Sequence, residues 1–157
     1  MIVMANDFYN DIRRGKIGET LFANAYAAAG NIVEDVSNLI DYRRRDIDFI
    51  VSNKRGQTTT IEIKTDEASE YTGNVFIEYA NSNNKNHNYL GWLMYCEAEY
   101  IGFIQPHNKK AMIVSLDELK KNIQENSYRI ASSYNATGFL MPIGTLQGYN
   151  SYFCMAL

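Results

Sequence analysis

Cysteine is nearly absent from this chain of 157 residues. Cys96 and Cys154 show no metal-ligand spacing and are too few for a disulfide framework, so reduced, buried thiols are expected. Long apolar runs are missing as well. None approaches the ~18 residues that span a bilayer, and no signal-type N-terminus is present. These absences predict a soluble protein of the cytoplasm with no membrane partner. Basic charge is not in excess: 15 Lys and Arg stand against 18 Asp and Glu, for a net charge of −3. That excludes a general polyanion-coating protein but not local contact with nucleic acid, because the distribution of charge matters more than its sum. Repeats, low-complexity tracts and linkers are also lacking, which leaves one domain over 1–157, long enough to bury a core. His87 and His107 have no paired-ligand spacing and read as surface residues. Aromatics are abundant, with 12 Tyr and 7 Phe. Filling a core is their first use, and stacking on bases the second; Trp92 reads as core.

Residues 6–29 read as helical, with Asn6 as cap and Phe8, Ile12, Leu21, Phe22 and Ala25 as a broken apolar stripe. Gly15 and Gly18 weaken its middle, so one helix or two stays open. Gly30 and Asn31 stop it. Strands are predicted at 32–36, 46–52 and 58–65, the last two joined through a hairpin connection containing Gly56. Further strands are expected at 75–79, 90–95 and 100–105, with a polar, Asn-rich loop over 81–88. Residues 111–114 read as a strand running into a helix capped by Ser115 and Glu118. The remainder is aromatic and turn-rich, with apolar pieces at 138–143 and 152–157. This order predicts an α/β class of the mixed α+β kind, with a central mixed β-sheet flanked by helices.

The most informative stretch runs from Asp46 to Lys64. Alternate side chains of a strand share a face, so Glu62 and Lys64 stand on one face and Ile61 and Ile63 on the other. If 46–52 and 58–65 pair as a hairpin, Asp48 comes beside Glu62. Ionisable groups on apolar strands are costly unless paired or bound to metal. Two hard carboxylates suit Mg2+, with the Ile63 carbonyl as a third ligand. A lysine beside them can orient a water, accept its proton or balance charge at phosphorus, and a nearby divalent cation would lower its pKa. A plain Glu–Lys ion pair in an ordinary α+β domain remains the alternative. Arg13, Arg14 and Lys16, the run Arg43, Arg44 and Arg45, and the turn residues Lys54 and Arg55 are candidate phosphate contacts or simply solvated charges.

Gly18-Glu19, then Arg45-Asp46-Ile47-Asp48-Phe49-Ile50, then Ile61-Glu62-Ile63-Lys64 together resemble the PD-(D/E)xK nuclease superfamily. That superfamily includes type II restriction endonucleases, archaeal Holliday-junction resolvases and many phage-encoded endonucleases. The likeness is nearest to small phage-type members, through Glu62 to Asp66 followed by Thr72 to Glu78, and it covers residues 15–80 better than 90–145. It implies a restriction-endonuclease-like core and a metal-dependent DNA endonuclease using Mg2+ (or Mn2+). By the same resemblance Asp48 and Glu62 are metal ligands, Lys64 is the catalytic lysine, and Glu19 is an accessory acid that reaches the metal directly or through water. Arg44, Arg45, Lys54, Arg55, Thr72 and Asn74 are then the DNA contacts. Ile47 stands where the motif has proline. Asp46 competes with Asp48, which is preferred because it matches the Asp-apolar-apolar pattern. Glu78 either orients Lys64 or a metal water, or is an edge-strand charge. A small member of such a fold cuts both strands as a homodimer, with the segment around Phe139, Leu140, Met141, Tyr149, Tyr152 and Phe153 as contact or core. A phage-encoded protein would act in its host's cytoplasm. The alternative function is a catalytically silent nuclease-fold protein that binds nucleic acid or a protein partner.

Overall fold

The computed structural model describes the backbone of residues 2–157 and side chains from Ile12 onward. Helix α1 (Ile2–Ala28) is followed by β1 (Ile32–Asp35), α2 (Ile40–Arg44), β2 (Phe49–Ser52) and β3 (Thr58–Thr65). Then come α3 (Ser69–Thr72), β4 (Asn74–Asn81), α4 (Trp92–Tyr95), β5 (Tyr100–Gln105), β6 (Lys110–Ser115) and α5 (Leu116–Glu125). β7 (Arg129–Ser133), β8 (Ala136–Pro142), α6 (Ile143–Gln147) and β9 (Phe153–Ala156) complete the order. A six-stranded sheet runs β1-β2-β3-β5-β6-β9, and a three-stranded sheet runs β4-β8-β7. Only β3 and β5 pair in parallel within the larger sheet. The class is therefore mixed α/β with a mixed central sheet flanked by helices, as expected.

β3 divides the core. Ile61 and Ile63 join Phe22 of α1, Phe49, Val51, Ile104 and Ile113 in one apolar layer. Glu62 and Lys64 lie level with Ile101 and Phe103 of β5, which belong to a second layer with Ile77, Trp92, Leu119 and Met141. The alternation expected of β3 is thus present, and its charged face looks toward the smaller sheet and α4.

α1 is unbroken despite Gly15 and Gly18, and it begins upstream of Asn6, so Asn6 is not its cap. The side chains of Asn6 and Phe8 lie outside those described. Each helical glycine costs about 1 kcal/mol relative to alanine, but Gly18 has a packing reason. A Cβ there would stand 1.9 Å from Thr65 Oγ1, so only glycine lets α1 lie this close to β3. That approach sets the height of the next residue, Glu19, over the sheet.

Three expectations are corrected. The strand expected over 46–52 begins only at Phe49, with Asp46, Ile47 and Asp48 outside it. Residues 90–95 are not a strand: Trp92–Tyr95 form a helical turn, and Leu90 makes a single bridge to Ala80. A short apolar run suits a buried helix as well as a strand, and periodicity does not separate them. The apolar pieces of the tail are strands: β8 pairs with β4 in a second sheet, and β9 becomes an edge of the first. Cys96 is buried as expected, whereas Cys154 is exposed on that edge. Among the described residues no helix is long and apolar enough to cross a membrane.

Candidate active site

β2 and β3 pair antiparallel with Phe49 opposite Ile61. The same register, continued one residue past the strand end, sets Asp48 against Glu62. Asp48 still donates its N–H to the Ile61 carbonyl (3.1 Å), while its own carbonyl accepts from Val36 N–H (2.9 Å). There the chain leaves the ladder. The Ile63 N–H, without a further strand partner on that side, donates to Asp48 Oδ2 at 2.9 Å. Asp48 thus satisfies a backbone donor, as a buried amide requires, and is fixed in position by doing so. Ile47 is buried in the core, and Asp46 turns back through a left-handed conformation, φ 56°. Asp tolerates that region better than most residues. Cys96 secures the turn by donating its Sγ–H to the Asp46 carbonyl at 3.3 Å.

Lys64 reaches along its strand face to two carboxylates. Its Nζ lies 2.8 Å from Glu62 Oε1 and 3.2 Å from Asp46 Oδ2. The Trp92 ring forms one wall, its centroid 5.5 Å from the ammonium. Glu62 is 95% buried by residue, being 5% exposed, and its second oxygen, Oε2, is buried with no hydrogen-bond partner. Glu19 acts electrostatically on Asp48 from α1 and is itself paired with Lys16 at 3.0 Å, which also lies 3.7 Å from Asp35. A groove of about 310 Å3 lined by Lys16, Glu19, Asp35 and Phe49 opens on this side. A larger cavity, about 480 Å3, lies on the same α1-covered layer by Phe22, Tyr26 and Tyr100 and takes in none of these carboxylates.

The electrostatics follow from burying several acids near one lysine. Burial, then the Glu19 charge, push Asp48 up to about 6 against the pull of the Ile63 N–H and Lys64. Burial also raises Glu62 well above the usual carboxylate range; Lys64 opposes this, while Asp46 and Asp48 add to it. Burial pulls Lys64 down, but the charges of Glu62 and Asp46 more than reverse it and hold the ammonium well above its ordinary value. A buried site with such an excess of acids draws in protons or a cation.

The donor chemistry fits a hard divalent cation. Asp48 and Glu62 lie near enough to act on one another, both offer carboxylate oxygens, and Glu62 Oε2 is an orphaned acceptor. Among the described residues no group of three or more acids, thiols or imidazoles stands ready-spaced around a cation. Lys64 stands between Glu62 and Asp46 instead.

The remaining candidates are spread more widely. Arg44 and Arg45 end α2, just before Asp46, and both are exposed. Arg45 is also engaged by the Asp41 carbonyl (3.1 Å) and by Glu97 (3.8 Å). Lys54 and Arg55 occupy the turn at the far end of the β2–β3 hairpin, roughly 20 Å from Asp48 at ~3.3 Å per residue, so the fold does not bring them to the cluster. Thr72 and Asn74 close the α3–β4 turn through mutual hydrogen bonds. Asp66 holds the same turn by accepting from the Ser69 and Phe76 N–H groups. Met141 and Tyr149 are core, whereas Phe153 is 53% exposed.

Sequence reasoning underrated Asp46 and did not see Lys16 as a partner of Glu19, although their i,i+3 spacing on a helix was a usable signal. It also had no means of finding Tyr95, which packs in the same region and is pushed up to about 12 by burial and then by Asp46. His87 stacks on Tyr95 with ring centroids 3.8 Å apart. No protein-family model, curated protein or solved structure matches this chain.

Proposed function

We propose that the chain is a metal-dependent DNA endonuclease hydrolysing phosphodiester bonds. The observation that carries this reading is Glu62: a buried carboxylate with one oxygen on Lys64 and the other unpartnered, facing Asp48 across the hairpin. Asp48 and Glu62 would hold Mg2+ or Mn2+, with Glu19 reaching it directly or through water. When bound, the cation supplies positive charge that polarises a phosphoryl oxygen and acidifies a nearby water. Lys64 then has its Nζ where a nucleophilic water or a developing phosphate charge can be held. Asp46 keeps that ammonium beside the carboxylates, and Trp92 excludes solvent from one side. Arg44 and Arg45, exposed at the same end of the hairpin, suit phosphates flanking the cut. With no separate sequence-reading domain in these residues, selection by DNA structure fits better than a long recognition sequence. Cleavage of both strands would need two copies of the chain.

The test is cleavage of labelled junction, flap, duplex and single-stranded DNA with Mg2+ or Mn2+. Lys64→Ala and Glu62→Gln should each lower the rate at least about 100-fold while leaving the circular dichroism spectrum unchanged. Undiminished cleavage by the double variant would place the activity elsewhere. A second reading, a silent nuclease-fold binder, draws on the position of Lys64, whose ammonium already neutralises Glu62 and Asp46. Calorimetry separates the two, since absence of heat with millimolar Mg2+ or Mn2+ would favour the binder.

A further inference from the structure

We propose that Glu78 is a positioning residue of this site, holding the Lys64 ammonium from the smaller sheet when Glu62 is given over to a cation. The inference rests on the nuclease reading for its catalytic meaning and on local geometry for the placement of Glu78; the ion pairs of Lys64 within 4.0 Å are those to Glu62 and Asp46. β4 runs antiparallel to β8 with Glu78 opposite Gly138, and the register slips between Glu78 and Ala80. Such bulges bend a strand and redirect its side chains. Two glycines make room for this one. A Cβ on Gly138 would stand 2.5 Å from the Ile77 carbonyl oxygen, and one on Gly91 would stand 2.5 Å from Glu78 O and 2.7 Å from its Cγ. The Gly91 N–H donates to Tyr79 O at 2.9 Å, tying the α4 entry to the bulge. Glu78 accepts from Asn81 Nδ2 at 3.4 Å and from the Trp92 N–H, and Lys64 and Asp46 are the charges that act on it. Trp92, whose N–H anchors Glu78, is also the ring beside the Lys64 ammonium.

The physical need for a further anion is specific. Lys64 is held by Glu62 and Asp46. A cation on Glu62 removes part of the attraction and adds like-charge repulsion, which drives the ammonium away from the reacting phosphate. Asp46 alone faces it from the hairpin. Glu78 supplies a second negative charge from the opposite wall, outside the pair that takes the cation.

The experiment is a double-mutant cycle followed by kinetics. Wild type, Glu78→Gln, Lys64→Met and the double variant are unfolded in urea with a chelator present. Glu78→Gln should be more favourable in the Lys64→Met background than in wild type by at least about fivefold in the unfolding equilibrium constant. Equal effects in both backgrounds would overturn the proposal. With DNA and Mn2+, Glu78→Gln should lower kcat about tenfold while KM for DNA and calorimetric Mn2+ affinity stay within about twofold, and Glu78→Asp should recover part of the loss. A fall in Mn2+ affinity would make Glu78 a ligand and refute its positioning role. Intact coupling in a wild-type protein that cuts no DNA would support the Glu78–Lys64 link and sink the nuclease reading instead.

Discussion

Replacing Asp48 with asparagine should make the cation-free protein more stable at neutral pH, and this follows from the arrangement of the site. Asp48 is 9% exposed and carries a carboxyl pushed up to about 6 by burial and Glu19. An unfolded chain restores it to 3.8. Because the folded pKa is raised, the folded state binds the extra proton. Stability associated with this group is fully present below pH ~3.8 and is lost as pH rises through about 6. Taking 1.36 kcal/mol per unit of pKa, the loss at pH 7.5 is about 3 kcal/mol. Asparagine removes that penalty and keeps the key acceptor, since its Oδ1 can still receive the Ile63 N–H that Asp48 Oδ2 now accepts at 2.9 Å. Its amide can donate toward Glu62 or Glu19. Urea denaturation in a chelating buffer at pH 5 and 7.5 reads the effect. Asp48→Asn should gain about 2–3 kcal/mol over wild type at the higher pH and show a smaller difference between the two. Added Mn2+ should then stabilise wild type but not the variant. An Asp48→Asn protein less stable than wild type at pH 7.5, with an unchanged pH slope, would refute the electrostatic reasoning.

Gly18→Ala should destabilise the fold by about 1–3 kcal/mol, since the new methyl meets Thr65 Oγ1 at 1.9 Å. Adding Thr65→Ala should recover part of that in thermal melts and removes a hydroxyl that is buried without a partner. Arg44→Ala with Arg45→Ala should weaken DNA binding and flatten its salt dependence, measured by anisotropy across a salt series, whereas Lys54→Ala with Arg55→Ala should leave kcat unchanged because the hairpin carries that turn away from the cluster.

The strands around the motif were legible because their pattern is local. Alternation in Ile61-Glu62-Ile63-Lys64 assigns faces with a period of two, and the turn at Gly56 makes the flanking runs a hairpin. Pairing followed, and with it the meeting of Asp48 and Glu62. The short run at 90–95 was not legible, because a few buried apolar residues satisfy helix and strand equally until their neighbours are known. Lys54 and Arg55 lie between the two acids in sequence, yet a hairpin sends its turn away from its open end.

Sequence alone therefore determined the chemistry on offer: hard acids, a lysine two positions from one of them, and a strand that presents both on one face. Tertiary structure decided the partnerships. Asp46 claims Lys64 through a left-handed turn, Asp48 caps a backbone N–H where β2 departs, Gly18 lowers α1 until Glu19 acts on Asp48, and β4 brings Glu78 from another sheet. Each of these depends on contacts between segments distant in the chain or on a departure from regular backbone, and periodicity carries information about neither.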